Sequence, residues 1–342
     1  MTNRFITITR QVPKGRISED DFAIETTAAP VIGDGEVLLH PVALTVDPFQ
    51  RNLMSGEPHS VLPTFVPGRP LSGFGVAQVV ESRHPDHAPG DLVQGWMTWA
   101  DLAVWPNAVA AFGLQSIDPA VDVDRPSLAL SIFAQVGVTA YYAVTEIGRV
   151  AAGETVLISS GAGGVGSLAG QIAKARGAAR VVGLTSSQAK RDLLTDKLGF
   201  DLALDYRADD LIEQLEAALP GGPDVYLDNV GGELSTRIMR QMRYPARVVE
   251  CGQLSNYDDA DKAWTLDTDP LHTRGLTYHG FMPTLFRDDW SHAYAQMRAW
   301  IDDGTITPVE TLLEGLESLP SAIVGLFTGA HVGKVVVTAP RL

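Results

Sequence analysis

The densest chemical signal in the chain is Gly161-Ala-Gly163-Gly164-Val165-Gly166, which fits Gly-x-Gly-x-x-Gly. It directly follows the apolar run ETVLISS (Glu154–Ser160) and opens SLAGQIAKARG (Ser167–Gly177), whose apolar residues recur at helical spacing. Glycine permits a tight turn and lets backbone N–H groups approach a pyrophosphate, while a helix N-terminus adds about half a positive charge. A turn that only packs helix on strand is the competing reading. The strand–turn–helix context favours dinucleotide binding.

The second chemical signal lies at the end of the next strand, where dinucleotide-binding units that take NAD usually place an acid for the ribose 2′-hydroxyl. Here the strand ends Leu184-Thr185-Ser186-Ser187-Gln188, followed by Lys190 and Arg191, with no carboxylate before Asp192. A carboxylate would repel a 2′-phosphate, whereas the Ser186 hydroxyl and the Lys190 ammonium would hold one. NADPH is therefore the expected cofactor. Arg191 is read as part of a solvated helix face.

These signals need elements to position them. Up to about Ala120 the chain reads as short β segments broken by Gly and Pro, such as EVLLHPVAL (Glu36–Leu44) and GFGVAQVVES (Gly73–Ser82). After about Arg125, apolar runs alternate with amphipathic segments. RVVGLTS, LALDY, VYLDNV and RVVECG each read as a strand, and LTYHGFM (Leu276–Met282) as a sixth. Such alternation specifies an α/β fold, a doubly wound parallel sheet of Rossmann type, here joined to a β-rich unit. The tail, a helix over His292–Gly304 and the strand GKVVVTA, is expected to return to the first domain.

That domain order suggests the medium-chain dehydrogenase/reductases, many of which carry catalytic zinc. Zinc needs about three converging protein ligands. The chain has one cysteine, Cys251, and no Cys in Val46-Asp47-Pro48-Phe49-Gln50-Arg51; Gly68-Arg69-Pro70 stands where zinc enzymes have Gly-His-Glu. No metal site is expected, and without a Lewis acid alcohol dehydrogenation is disfavoured. His84 and His87, in SRHPDHAPGD, read as solvated loop residues. Cys251 reads as a buried small hydrophobe, and Tyr141 and Tyr142 as packing residues at the domain junction. No Gly-x-Ser-x-Gly elbow supports a hydrolase.

Several motifs together carry a family resemblance: TVDPFQR, GVTAYYAV, GAGGVGSLAGQIAKARG, KLGFDLALDY, DVYLDNVGGE, VVECGQLSNY and GLFTGAHVGKVVV. With them, the chain resembles the zinc-independent alkenal double-bond reductases of the medium-chain superfamily. That group includes prostaglandin reductases, plant double-bond reductases and bacterial curcumin reductases. The resemblance implies a β-rich GroES-like catalytic domain over residues 1–126 and 298–342, and a Rossmann NADPH-binding domain over 127–297. It implies that Gly163, Gly164, Val165 and Gly166 line the pyrophosphate, and that Lys190 and Tyr206 contact the 2′-phosphate region. Asn229, the segment Cys251–Tyr257 with Gly252, Leu254 and Ser255, and the segment from Phe281 to Pro283 are implied to meet the ribose or nicotinamide. His331 replaces the family's usual Asn near the C-terminal Gly-Lys. Phe49 and Gln50 replace a Tyr and Met near the expected substrate mouth, and acidic residues 258–269 replace a Pro-rich stretch.

The expected reaction is hydride transfer from NADPH to the β-carbon of an α,β-unsaturated ketone or aldehyde. Charge develops on the carbonyl oxygen, so a donor aimed at that oxygen is the main requirement. Tyr257 is the candidate; the α-carbon proton comes from Tyr257 or water. A quinone reductase and a non-catalytic NADPH-binding sensor or structural protein are the alternatives. The family also implies a homodimer, with LTYHGFM as a candidate edge strand.

Composition sets the remaining bounds. A length of 342 residues suits two domains. The net charge of −15, from 41 acids and 26 bases, argues against nucleic-acid or anionic-membrane partners. The N-terminus lacks a signal-peptide core, and no apolar run of membrane-spanning length occurs, so a cytoplasmic protein is expected.

Overall fold

The structure is a computed structural model that describes residues 2–13, 15–57, 62–106, 113–118, 121–122, 124–257 and 265–342. The first part contains β1 (Thr2–Ile8), β2 (Phe22–Ala28), β3 (Val37–Thr45), α1 (Gln50–Leu53), β4 (Ser72–Ser82), β5 (Leu92–Thr98), β6 (Ala103–Trp105) and β7 (Leu114–Ser116). Two helices, α2 (Leu128–Ser131) and α3 (Gln135–Tyr142), lead into an alternating stretch. This comprises β8 (Thr155–Ile158), α4 (Gly164–Ala175), β9 (Arg180–Thr185), α5 (Gln188–Lys197), β10 (Leu202–Asp205), α6 (Leu211–Ala218), β11 (Val225–Asp228), α7 (Gly232–Met239) and β12 (Ala246–Glu250). It continues through α8 (Leu254–Tyr257), α9 (Asp269–Thr273), β13 (Leu276–Gly280) and α10 (Trp290–Asp302). The tail holds β14 (Glu310–Glu314), α11 (Leu319–Thr328) and β15 (Lys334–Thr338).

The alternating stretch builds a six-stranded parallel sheet in the order β10-β9-β8-β11-β12-β13. Counted within this sheet the order is 3-2-1-4-5-6, the arrangement of the dinucleotide-binding fold. Its central strands are largely apolar because helices cover both faces: Val156, Ile158, Val181, Val182 and Val225 are all fully buried. Small residues let α4 lie close to the sheet. A side chain on Gly170 would run into the Phe200 ring.

The β-rich part forms an antiparallel sheet around β3, β4 and β5, and the tail does return to it. β15 pairs antiparallel with β3 through Val336↔Thr45 and Val337↔Leu44, and parallel with β14. The strand β14 and the helix α11 are not evident from the tail's sequence pattern. The α11 segment LPSAIVGLFT mixes Pro and Gly with apolar residues, and it is tertiary burial of Leu319, Ala322 and Ile323 that makes it a helix.

The two sheets meet at polar clasps and an aromatic seam. The Glu310 carboxylate, with a side chain only 2% exposed, accepts hydrogen bonds from Arg125 at 2.8 Å, Ser127 at 3.2 Å and Ser131 at 2.8 Å. Tyr142 stacks on Phe286 at 4.3 Å and donates to Asp289 at 3.2 Å, and Tyr141 packs against Trp300. Both tyrosines are packing residues, as expected.

Two expectations are corrected. His87 is buried, stacks on His84 at 5.0 Å, and both rings pack edge-on against Trp105, so neither is simply solvated. Arg191 is not a free surface cation; it ion-pairs with Asp205 at 3.2 Å because β10 lies beside β9. Gln50, which stands where the family has Met, is fully buried, accepts from the Asp47 N–H at 2.7 Å and donates to the Ser72 carbonyl at 2.7 Å.

Candidate active site

The phosphate loop begins where β8 ends. Ser160 has a positive φ of 50°, and the Gly161 N–H bonds to the Leu184 carbonyl at 2.9 Å, seating the turn on β9. A Cβ on Gly161 would lie 3.1 Å from the Gly183 Cα, and one on Gly166 would collide with the Ser160 carbonyl. Gly163 is the N-cap of α4, and its N–H is spent on the Ser160 carbonyl at 2.9 Å. Its part is thus to lack a side chain, while the N–H groups of Gly164, Val165 and Gly166 are the first-turn donors without helical partners. The C-terminal segment closes over the loop: the Gly333 N–H donates to the Ala162 carbonyl at 2.8 Å.

At the end of β9, Ser186 and Lys190 converge on Gly329, the left-handed residue that ends α11. The Lys190 ammonium donates to the Gly329 carbonyl at 2.9 Å, and burial lowers its pKa. Tyr206 is exposed, with the Arg207 guanidinium 5.7 Å from its ring centroid. The Arg207 guanidinium also donates to the Ser186 carbonyl and to Asp205. The sequence pattern does not single out Arg207; its position just beyond the third strand of the sheet is the only signal that could have found it. Asp205 is an acid beside this cluster, but Arg191 and Arg207 both bind it and hold its carboxyl below the usual range, against the desolvation that opposes them. Its charge is therefore largely neutralised, and the cluster stays cationic.

At the end of β11, a buried acid ties the chain into a turn. Asp228 accepts from Ser159 at 3.0 Å, Tyr226 at 2.9 Å, the Val230 and Gly231 N–H groups at 3.0 Å each, and Ser235. Gly231 and Gly232 both sit at φ 70°, and a Cβ on Gly232 would lie 2.8 Å from the Ser255 hydroxyl. This explains the paired glycines of DNVGG. Asn229 donates to the Ser159 carbonyl at 2.7 Å, fixing it next to the phosphate loop.

The segment from Cys251 to Tyr257 is hung from the same turn. The Cys251 and Gly252 N–H groups donate to the Asp228 carbonyl, Leu254 to the Asn229 carbonyl at 3.3 Å and Ser255 to the Val230 carbonyl at 3.0 Å. Cys251 is half-buried, and burial raises its thiol pKa far above the range of a thiolate nucleophile. Tyr257 is also half-buried; burial raises its phenol pKa, a hydrogen bond from the Gln253 backbone opposes this, and Glu250 adds to the rise. Glu250, not evident from sequence, holds the segment through Gln253, whose amide oxygen then accepts from Asn256 at 2.8 Å. Residues 258–264, part of the acidic stretch, lie outside the described residues.

Phe281 follows β13 and packs edge-on against Phe286 at 6.3 Å. The His331 ring lies against Gly325 of α11, and its buried Nε2 has no hydrogen-bond partner among the described residues. Desolvation, and to a lesser degree Lys190, lower its pKa, against the neighbouring Ala322 and Ser321 backbone, which raises it. His331 is thus turned toward the helix while standing close to Lys190.

The TVDPFQR segment is structural. Arg51 is fully buried and donates to the carbonyls of Val12, Pro13 and Gly15, pinning the N-terminal segment. Asp47 pairs with the buried Lys334 ammonium and accepts from Thr45 at 2.8 Å. Phe49 packs toward Trp96 at 6.2 Å. Among the described residues, no group of three or more His, Cys, Asp or Glu side chains could hold a metal ion.

With this geometry in place, comparison with known proteins is informative. The family described as "N-terminal domain of oxidoreductase" matches residues 4–111, and "Zinc-binding dehydrogenase" matches residues 164–301. The chain is 37% identical over 327 residues to the putative NADP-dependent oxidoreductase YfmJ of Bacillus subtilis, covering 94% of each. The chain belongs to the NADP-dependent double-bond reductase branch of the medium-chain dehydrogenase/reductases. It is 33% identical over 338 residues to the NADPH-dependent curcumin reductase of Escherichia coli, covering 95% of this chain and 94% of that protein. It is 35% identical over 315 residues to the 2-alkenal reductase (NADP(+)-dependent) of Nicotiana tabacum, covering 90% and 89%. The crystal structure of CurA from Vibrio vulnificus in complex with NADPH superposes with a TM-score of 0.90 at 30% identity, covering 99% of this chain and 100% of that one.

Proposed function

We propose that this protein is a zinc-independent, NADPH-dependent reductase of the carbon–carbon double bond of α,β-unsaturated ketones and aldehydes. The observation that carries the reading is one shared edge of the parallel sheet. There, the ends of β8, β9, β11 and β12 present the phosphate loop, the Ser186–Lys190–Arg207 cluster, Asn229 and the Tyr257 segment. Ligands of open α/β sheets sit beyond the carboxyl ends of the strands.

The residues present suit NADPH. The first-turn N–H groups of Gly164, Val165 and Gly166 would hold its pyrophosphate, on a turn so tight that Cβ atoms on Gly161 and Gly166 would run into Gly183 and Ser160. Ser186, Lys190, Tyr206 and Arg207 would hold the 2′-phosphate; Asn229, Cys251, Gly252, Leu254, Ser255 and Phe281 would bound the ribose and nicotinamide, with His331 beside Lys190. Bound NADPH supplies the hydride that reaches the substrate β-carbon.

Tyr257 donates a hydrogen bond to the substrate carbonyl oxygen, where negative charge collects. Its phenol is protonated at neutral pH, as an ordinary tyrosine is, and burial extends that form to more alkaline pH. Glu250, Gln253 and Asn256 hold its short helix against the Asn229 turn. The zinc-free part of the reading rests on the occupants of the expected ligand positions, since Asp47 is committed to Lys334 and Thr45.

We also propose the domain division 1–126 with 298–342, and 127–297, a cytoplasmic location, and a homodimer formed through β13. That strand pairs with β12 at the edge of the sheet, and its outward Thr277 and His279 are exposed. Among the described residues no helix is long and apolar enough to cross a membrane.

The test is NADPH oxidation against a 2-alkenal, 3-nonen-2-one, curcumin and a quinone, with NADH in parallel. Turnover of the enones with NADPH supports the reading. Turnover of the quinone alone overturns the alkenal assignment, and binding without any turnover points to a non-catalytic role.

A further inference from the structure

A cavity of about 490 Å³ opens where β5 and the segment after β7 face the outer side of α10. None of the residues assigned to the cofactor or to Tyr257's segment lines it. Gln94 and Arg298, which line it, each keep one buried side-chain atom with no partner among the described residues: the Gln94 Oε1, an acceptor, and the Arg298 Nη2, a donor. The Arg298 guanidinium is held rigid, 4.5 Å above the Phe133 ring. Arg287 adds a second cation to the lining, and Asp118 is the carboxylate among the lining residues. Trp290 and Tyr294 supply aromatic walls, with the Trp290 N–H committed to the Pro283 carbonyl at 3.1 Å.

Buried polar atoms left unpaired cost stability unless something satisfies them, and a planar guanidinium fork matches a carboxylate. Two guanidiniums against one carboxylate make this a locally cationic recess in a chain of net charge −15. Its size lies in the range of small-molecule sites. We propose that this recess is a second ligand site, for a small aromatic carboxylate that also carries a hydrogen-bond donor. The carboxylate engages Arg298 and Arg287, the ring lies against Trp290 and Tyr294, whose own rings pack at 6.3 Å, and the donor reaches the Gln94 amide oxygen once that amide turns toward the recess. Such a ligand touches both the antiparallel sheet and α10, bridging the two parts of the chain independently of the reductase reaction.

The probe is 4-hydroxybenzoate, which combines the three features, titrated calorimetrically into the full-length protein with 4-hydroxybenzamide and benzoate as controls. The expected result is 1:1 binding with a dissociation constant on the order of 1 mM or tighter. The uncharged amide should bind at least about tenfold more weakly, as should Arg298→Gln, since each loses a charge-assisted bond. Gln94→Leu should weaken 4-hydroxybenzoate but leave benzoate unchanged. Lys190→Ala should leave 4-hydroxybenzoate binding intact, which separates this recess from the cofactor cluster. Circular dichroism melts confirm that each variant is folded, and Gln94→Leu lies on a different element from Arg298→Gln. No binding, or binding indifferent to both Arg298→Gln and Gln94→Leu, overturns the proposal.

Discussion

The Lys190 ammonium donates to the carbonyl of Gly329, 2.9 Å away and 139 positions along the chain, and so ties the first turn of α5 to the end of α11. The contact leaves the ammonium partly buried and its pKa lowered, with the Ser186 hydroxyl beside it. A cation held this way is pre-positioned for an anion, because little side-chain freedom remains to be lost. Lys190→Ala should therefore weaken NADPH binding by roughly 10- to 100-fold, the value of a charge-assisted hydrogen bond. Binding of NADH should hardly change. Fluorescence titration with both nucleotides checks this, and equal losses for the two would place the 2′-phosphate elsewhere.

His331 stands close enough to Lys190 for the two charges to interact, and its pKa is lowered mainly by burial. In the free protein the imidazole is therefore neutral at pH 7 and charges only below its ordinary value of about 6.5. A bound 2′-phosphate favours the imidazolium, so NADPH binding should take up a proton and tighten as pH falls from 7.5 toward 6. His331→Asn should flatten the part of this dependence that exceeds the phosphate's own titration. Affinity for NADPH and NADH measured across that range, in the wild type and the variant, decides it. Identical slopes in the two proteins would remove His331 from the cofactor site.

The ion pair of Lys334 with Asp47 joins the last strand to the loop after β3, with side chains only 7% and 16% exposed. Removing one partner leaves the other charge buried and uncompensated, which typically costs about 3–5 kcal/mol. Lys334→Met should lower the melting temperature markedly. Adding Asp47→Leu should recover much of the loss, since replacing both charges with apolar groups is often nearly neutral. A double variant no more stable than the single one would show that Asp47 does more than balance Lys334.

What the sequence reveals, and what it hides, follows from where the information sits. The Gly161–Gly166 loop is legible because the strand, turn and helix that give it meaning are contiguous. Ser186 and Lys190 are legible for the same reason, lying within one strand-to-helix step. Arg207, Arg191 and Asp205 are not, since their meaning depends on β10 settling beside β9 so that two cations cancel one acid. Gln50 and Arg51 look like site residues in a local pattern, yet burial turns both into struts that hold backbone carbonyls. Glu310 looks like any acid, but in the fold it clasps Arg125, Ser127 and Ser131 from nearly 180 positions away or more.

Tyr257 provides the last and most direct test. Its hydroxyl is the assigned donor to the substrate oxygen, and loss of one such donor typically costs about 3 kcal/mol in the transition state, roughly 100-fold in rate. Tyr257→Phe should therefore lower kcat on an enone by about that factor while leaving NADPH affinity unchanged, because the ring still packs. The pH profile adds a second signature. The neutral phenol is the working form and its pKa is raised above the ordinary 10, mainly by burial. The wild-type rate should thus stay above half its neutral-pH value at pH 10, where an unperturbed tyrosine would be about half ionised. Stopped-flow measurement of NADPH oxidation from pH 6 to pH 10 reads both effects. A variant as fast as the wild type would transfer the donor's role to another group, while a wild-type rate halved by pH 10 would mean that burial does not protect the phenol.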